Sequence, residues 1–327
     1  MRRGPAACLL WPLSLIFLLL TTVRRGLYRL GALSSTRIPV PVIVVGNVFV
    51  GGTGKTPLTI WLVEALRAAG YTPGVVSRGH GSYGEGTALV TVDSLPQQVG
   101  DEPVLIVQRA RCPLVVGRKR VAAAQALLAA HPQVDVIVSD DGLQHYALQR
   151  DIEIVLSDAR GAGNGWLLPA GPLREPVSRR RDFTVINLTP GTAAPLDGAI
   201  PMHLQSTIAE RLSDPAQTAA LAELAQRKSG IVAAAGIGHP ERFFAMLRAA
   251  GLRFDSMPLP DHFAFDAGSF AGVEADLILM TEKDAVKCRH IAALRNDVRL
   301  WAVPVAAHID VMLAEKIAEK LRGRTTA

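Results

Sequence analysis

A lysine and a threonine behind a cluster of glycines can bind phosphate, and Val42–Ile60, VIVVGNVFVGGTGKTPLTI, has that arrangement. Gly51, Gly52 and Gly54 permit backbone conformations closed to other residues, so that consecutive N–H groups can converge on one anion. Lys55 adds a point charge and Thr56 a hydroxyl for Mg²⁺. Pro57 sits in the first turn of a helix whose positive end faces the same place. Gly51, Gly52, Thr53, Gly54, Lys55 and Thr56 are therefore the expected nucleotide contacts. The strict pattern asks for glycine five residues before Gly54, where Phe49 stands, and the glycine occurs at Gly46 instead. The surroundings favour a phosphate cradle: an apolar strand precedes an intact GKT, and Leu58, Leu62, Ala65, Leu66 and Ala69 share one helical face before Gly70. The competing reading is a glycine-rich turn that only packs tightly.

Other polar clusters are less specific. The run Val134–Ser139 ends in Asp140 and Asp141, where a nucleotide-binding sheet places the carboxylate that organises Mg²⁺; a turn or helix cap is the alternative. In Gly100-Asp101-Glu102-Pro103, two carboxylates occupy an expected loop that Pro103 ends, and Asp101 can accept a proton from an attacking hydroxyl. An Asx-turn aspartate before a helix explains it equally well. Arg118, Lys119 and Arg120 open a helix, where cations oppose the dipole; they suggest an anionic substrate or headgroup, or a solvated charge run. The Arg179–Arg181 run reads as a surface or membrane-facing patch. His262 of PDHF adjoins Asp261, a pairing more often structural than catalytic. Thr281-Glu282-Lys283-Asp284 misses the guanine-reading Asn/Thr-Lys-x-Asp spacing by one, so GTP specificity is discounted. Cys8, Cys112 and Cys288 form no close pair and read as structural or incidental in a reduced compartment.

These residues need a scaffold, and 327 residues suffice for two domains. Strands are expected near Val42–Val45, Gly74–Ser77, Leu114–Val116, Val134–Ser139, Ile152–Leu156 and Phe183–Asn187, alternating with helices. The fold class is α/β: a phosphate-loop NTPase-like parallel sheet core (34–205), a second, smaller α/β domain (206–327) and an N-terminal membrane helix within 1–33. The second domain is read as starting after strand-like Met202–Gln205, with a helix near Pro215–Gln226, strands Ile231–Ala235, Leu277–Met280 and Leu300–Val305, a helix Glu241–Ala250 and a last helix from Val311. Ala6–Val23 is an apolar run bracketed by arginines and barely long enough to span; TTVRRGLYRL follows it in place of a signal-peptidase site. The formal net charge of +6 favours an anionic partner. No zinc spacing, aromatic-glycine signature or basic helix with stacking aromatics supports nucleic acid, and no obligate protein partner is evident.

Taken together, VGNVFVGGTGKTP, SRGHG, GDEP, GRKR, SDDGLQH, GNGWLLPAGPLREP, AAGIGHPERFF, PDHF and TEKDAVK closely resemble the tetraacyldisaccharide 4′-kinase family of lipid A biosynthesis. The match is collinear from the apolar segment to about Lys287, and the irregular phosphate loop fits, because in this family too a glycine pair precedes TGKT. The resemblance implies transfer of the ATP γ-phosphoryl to the 4′-hydroxyl of a tetraacylated glucosamine disaccharide 1-phosphate at the cytoplasmic face of the inner membrane. It implies a smaller domain that closes over ATP. On matching positions, Lys55 would hold the β/γ-phosphates, and Thr56 with Asp140 or Asp141 would hold Mg²⁺. Asp101 would be the base and His262 its tuning partner, while Arg118, Arg120 and Arg174 could meet the substrate's negative charge. His80 and His239 depart from the residues usual there, so side-chain roles at those two positions do not carry over. A membrane-tethered nucleotide switch is the alternative from another class.

Overall fold

The computed structural model describes residues 3–79, 86–189, 198–227 and 230–323; His80 lies outside them. The chain opens with helix α1 (Pro5–Arg29) and continues through β1 (Val42–Asn47), α2 (Lys55–Ala68), β2 (Pro73–Ser77), β3 (Thr87–Val90), the single turn α3 (Pro96–Val99), α4 (Asp101–Ala110), β4 (Leu114–Gly117), α5 (Arg120–Ala130), β5 (Val136–Asp140), β6 (Ile152–Asp158), β7 (Phe183–Asn187) and β8 (Ile200–Gln205). A second group follows: β9 (Ile208–Arg211), β10 (Thr218–Ala220), α6 (Leu221–Leu224), β11 (Ile231–Ala235), α7 (Pro240–Ala249), β12 (Asp255–Pro258), β13 (Leu277–Thr281), α8 (Glu282–Cys288), α9 (Ala292–Arg295) and β14 (Leu300–Val303). The last elements are β15 (Ala306–Ile309) and α10 (Met312–Arg322).

The first nine-stranded sheet runs β15-β8-β7-β6-β1-β5-β2-β4-β3 and is parallel except at its edges, where β15 and β3 run antiparallel to their neighbours. Its β1 is buried at every position, as a strand covered on both faces must be. Ile43 and Val45 point to a core shared with Leu58 and Leu62 of α2 and Val104 of α4; Val42 and Val44 point to one shared with Ala123, Ala124 and Leu127 of α5. Each such aliphatic side chain contributes about 1.5–3 kcal/mol on burial. The second sheet, β10-β9-β14-β13-β11-β12, is covered by α7 on one face and by α8 and α9 on the other. Val286 of α8 joins the core of the first sheet, so the two layers share apolar contact.

Three expectations are corrected. The alanine-rich stretch near Pro215–Gln226 is not a full helix: Thr218–Ala220 pairs antiparallel with β9, and one helical turn follows, because adding a strand to the sheet outweighs alanine's helix propensity. Asp101 and Glu102 are not in a loop but form the first turn of α4. Pro103 does not end the segment, because the first turn of a helix needs no N–H partner for it. The second unit does not run to the end of the chain: the expected strand at Leu300–Val305 stays in the second sheet as β14, but an unexpected strand, β15, pairs with β8, and Leu313, Ile317 and Leu321 of α10 enter the core shared with α2 and α4.

The helix α1 is long and apolar enough to cross a membrane, and most of it lies outside the protein core. One face docks along its length. Ser14 Oγ donates to the Leu167 carbonyl at 2.8 Å and accepts from the Ala170 N–H at 3.0 Å. Phe17 and Leu18 pack on the core shared with α5, while Trp11 meets Trp166 and Tyr28 meets Tyr146. The opposite face is an exposed stripe at helical spacing: Leu9, Leu13, Ile16, Leu20, Val23 and Leu27.

Candidate active site

The carboxyl ends of the parallel strands carry the polar residues, as open α/β sheets require of a ligand site. Between β1 and α2 the loop turns at Gly51 (φ 98°) and Gly54 (φ 102°), both in the left-handed region that favours glycine. Asn47, the last residue of β1, holds the loop: its side-chain amide donates to the carbonyls of Phe49 (2.6 Å) and Gly51 (3.2 Å) and its oxygen accepts from Lys55 Nζ at 3.4 Å. Asn187 at the end of β7 donates to the Thr53 carbonyl at 2.9 Å. Thr53 Oγ1 is buried without a partner among the described residues. Phe49 stands where the strict pattern has glycine because the loop is wrapped by a later segment. Val50 N–H donates to the Pro172 carbonyl, Arg174 N–H to the Val48 carbonyl, and the Arg160 guanidinium covers the Phe49 ring at 4.2 Å. A side chain there fills space instead of blocking phosphate.

The two adjacent aspartates diverge. Asp140, next to Val45 of β1 in the sheet register, is buried and accepts from the hydroxyls of Thr59 (3.2 Å) and Ser77 (3.1 Å). Burial, with the charges of Glu102 and Asp141, pushes its carboxyl up to about 6. Asp141 takes a left-handed conformation (φ 47°) that swings its carboxylate to Arg174 at 3.2 Å and Lys55 at 3.9 Å. Burial opposes its ionisation, but those cations outweigh it and lower its pKa. Thr56 stands half-buried in the first turn of α2. Among the described residues no group of three or more His, Cys, Asp or Glu forms a metal cage. Two carboxylates and a hydroxyl beside a phosphate loop suit Mg²⁺, a hard ion that takes one or two carboxylates and completes its shell with phosphates and water.

Asp101 and His262, read from different parts of the chain, meet: His262 Nδ1 lies 3.4 Å from Asp101 Oδ2. Asp101 Oδ1 accepts from the Glu102 N–H at 2.9 Å. His262, in the turn after β12, has φ 57°, an uncommon conformation for a residue with a side chain and one that gathers at functional sites. Burial acts to raise the Asp101 pKa, but the His262 hydrogen bond and the charges of Lys283, His262 and Lys287 win and lower it. The same hydrogen bond raises that of His262 against burial.

The predicted substrate arginines separate. Arg118 is exposed at the end of β4. Arg120 is buried, its guanidinium donating to the carbonyls of Gly117 (2.7 Å) and Asp140 (3.0 Å), so it ties two strand ends together and is not part of a solvated run. Arg174 faces Asp141. Arg179, expected on the surface, is buried and pairs with Glu153 and Glu175. Sequence reading missed Asn47, Asn187 and the set built on Asp158. This buried carboxylate at the end of β6 receives Arg160 and, from α7 of the second layer, Arg242 at 2.7 Å. Arg160 and Arg242 also donate to the Gly52 carbonyl. His239 stands at the N-cap of α7, its pKa lowered by burial and by Arg160 and Arg242. The only signals for these were polar residues at strand ends.

The model of the tetraacyldisaccharide-1-P 4′-kinase family matches residues 6–322. A tetraacyldisaccharide 4′-kinase from Janthinobacterium sp. (strain Marseille) is 62% identical over all of this chain and 95% of its own length. One from Herminiimonas arsenicoxydans is 61% identical with the same coverage. A solved structure of LpxK from Aquifex aeolicus in complex with ATP superposes with TM-score 0.80 at 28% identity, covering 97% of this chain and 98% of that one.

Proposed function

Because the chain belongs to the tetraacyldisaccharide-1-P 4′-kinase family, we propose that it transfers the γ-phosphoryl group of ATP to the 4′-hydroxyl of a tetraacyldisaccharide 1-phosphate in lipid A biosynthesis. The observation that carries the catalytic assignment is the Asp101–His262 contact. It pairs a carboxylate of α4, the helix packed on the sheet that bears the phosphate loop, with an imidazole from the other sheet's layer, beside Glu102, whose charge reaches Asp140.

In this reading the N–H groups of Gly51–Thr56 and the Lys55 ammonium bind the β- and γ-phosphates and align the terminal group. Asp101 Oδ2 accepts the proton of the attacking hydroxyl, and His262 holds that carboxylate in place through its Nδ1–H. Thr56 with Asp140 or Asp141 would hold Mg²⁺, which would neutralise charge on the transferring group. Asp140, fixed by two hydroxyls, supports the reading as the more rigid donor. Arg174 and Arg118 answer the acceptor's negative charge, and Arg120 fixes the strand ends from which they act. A catalytic core at residues 34–205, joined by β15 and α10 and closed by the second layer, suits this division of labour.

A lipid acceptor calls for an enzyme at a bilayer. We place α1 in the membrane interface, its outer apolar stripe inserted, because its inner face is docked along its length and could not cross the bilayer without leaving the core. Residues 1–33 then form the membrane-associated segment, with the catalytic layers at the cytoplasmic face of the inner membrane.

The test is transfer of labelled γ-phosphate to tetraacyldisaccharide 1-phosphate in detergent micelles. Asp101→Ala should lower kcat by about 10²–10⁴-fold, the span of general base catalysis, with ATP binding retained. Lys55→Ala should lose ATP binding as well. Hydrolysis of ATP by wild type with the lipid unlabelled would overturn the kinase reading, and full activity of Asp101→Ala would overturn the base.

A further inference from the structure

The segment Thr281-Glu282-Lys283-Asp284 resembles a base-reading signature with altered spacing, and its side chains are committed elsewhere. Asp284 turns inward: it accepts from the Gly236 N–H at 2.8 Å and the Thr281 hydroxyl at 2.7 Å, and pairs with Lys287 at 3.0 Å. Glu282 pairs with Arg109 near the end of α4 and accepts from the Val305 N–H at 2.8 Å. Lys283 reaches the other end of the same helix, with Nζ 3.1 Å from Glu102 Oε1 and 4.0 Å from Asp101 Oδ2. Two consecutive residues of α8 thus grip both ends of α4, the helix that begins with Asp101.

We propose that Lys283 is a positioning residue for phosphoryl transfer, tethering the first turn of α4 to the second layer and so holding the Asp101 carboxylate opposite His262. The inference rests on Asp101 being the base. Its physical basis is charge and geometry. Asp101 and Glu102 are adjacent carboxylates, and the helix N-terminus that favours both leaves their mutual repulsion unanswered. One largely buried ammonium spans the pair. With Oδ1 of Asp101 occupied by the Glu102 N–H, Oδ2 is left to His262 and Lys283. The charged groups acting on Asp101 are His262 from the turn after β12 and Lys283 and Lys287 from α8, and Lys283 also pairs with the neighbouring Glu102. Removing Lys283 frees the first turn of α4 to shift, and it removes a cation that favours the ionised base.

The experiment compares wild type, Lys283→Met, Lys283→Arg and Asp101→Asn in the micellar transfer assay across pH, with thermal melts of each. For Lys283→Met we expect kcat to fall about 10- to 100-fold, as a small misplacement of a reacting group does, with KM for ATP within about twofold of wild type. The acidic limb of its kcat profile should move up by about one pH unit, because a cation beside the carboxylate is gone. Lys283→Arg should keep that limb and recover most of kcat. A wild-type kcat and limb in Lys283→Met overturns the proposal while Asp101→Asn stays inactive, which leaves the base reading standing. Activity lost with an unmoved limb and no recovery in Lys283→Arg shows packing alone and also overturns it. If Lys283→Met does not fold, Lys283→Arg decides: a wild-type melt with kcat down more than about tenfold refutes the tether. Full activity of Asp101→Asn would instead sink the base reading itself.

Discussion

Asp101 and His262 bias each other's protonation, and the signs define a pH window. His262 is raised by its hydrogen bond to Asp101, so its contribution to stability is complete below its ordinary pKa of 6.5 and is lost as pH rises through the folded value. Asp101 is net lowered against burial, so its contribution is present above 3.8 and lost as pH falls through its folded value. The stability difference between wild type and His262→Ala should therefore be largest between about pH 4 and 6.5 and shrink as pH rises through the folded value of His262. Urea unfolding at several pH values checks this; a difference that grows at high pH would contradict the pairing. The GKT residues stood out in the sequence because few residue types suit their chemistry, whereas Asp101 fitted an Asx turn equally well and took its expected role only from the family resemblance. The Asp101–His262 contact was not legible there, since adjacency in space across two layers leaves no spacing signal.

The loop from β1 to α2 depends on backbone geometry more than on side chains. Gly54 has φ 102°, and a Cβ built on it falls 2.8 Å from Asn187 Nδ2. Gly54→Ala should cost about 1–3 kcal/mol, the range for a residue held in an unfavourable backbone region. It should also weaken ATP binding, measurable by urea unfolding and calorimetry; wild-type behaviour in both would show that the loop adapts. For α1, replacing Leu13, Ile16 and Leu20 of the outer stripe with serine should abolish most sedimentation with liposomes while leaving the melting transition in place. Ser14→Ala on the docked face should destabilise the helix–core contact by about 1–3 kcal/mol, the cost of a buried group left unpaired. Undiminished liposome binding in the triple variant would move the anchor to another surface. The apolar run was plain in the sequence, but which face docks became clear only from Trp166, Leu167 and Ala170, far along the chain.

At the scale of the molecule, the two layers are joined on opposite sides of the phosphate loop. On one side Arg242 reaches Asp158 and the Gly52 carbonyl; on the other Lys283 and His262 reach the start of α4. The second layer therefore bears on both the nucleotide loop and the proposed base, a layout suited to closure that completes the site. Arg242→Ala should weaken ATP binding about three- to tenfold, up to about 1.4 kcal/mol, with Arg160 still neutralising Asp158. Calorimetric titration with ATP tests it, and unchanged affinity would remove Arg242 from closure.

The amino-acid order alone determined the parallel α/β core, the phosphate loop and the apolar N-terminal helix, because local backbone rules and hydrophobic periodicity act over a few residues. It also carried the family resemblance that the matched relatives bear out. Tertiary structure decided what depends on distant partners. Arg120 and Arg179 became buried ties, Pro103 sits inside a helix, and β15 and α10 returned to the first sheet. Each outcome was set by carbonyls, carboxylates or a strand edge that the chain supplies far away, and no local pattern records where those will stand.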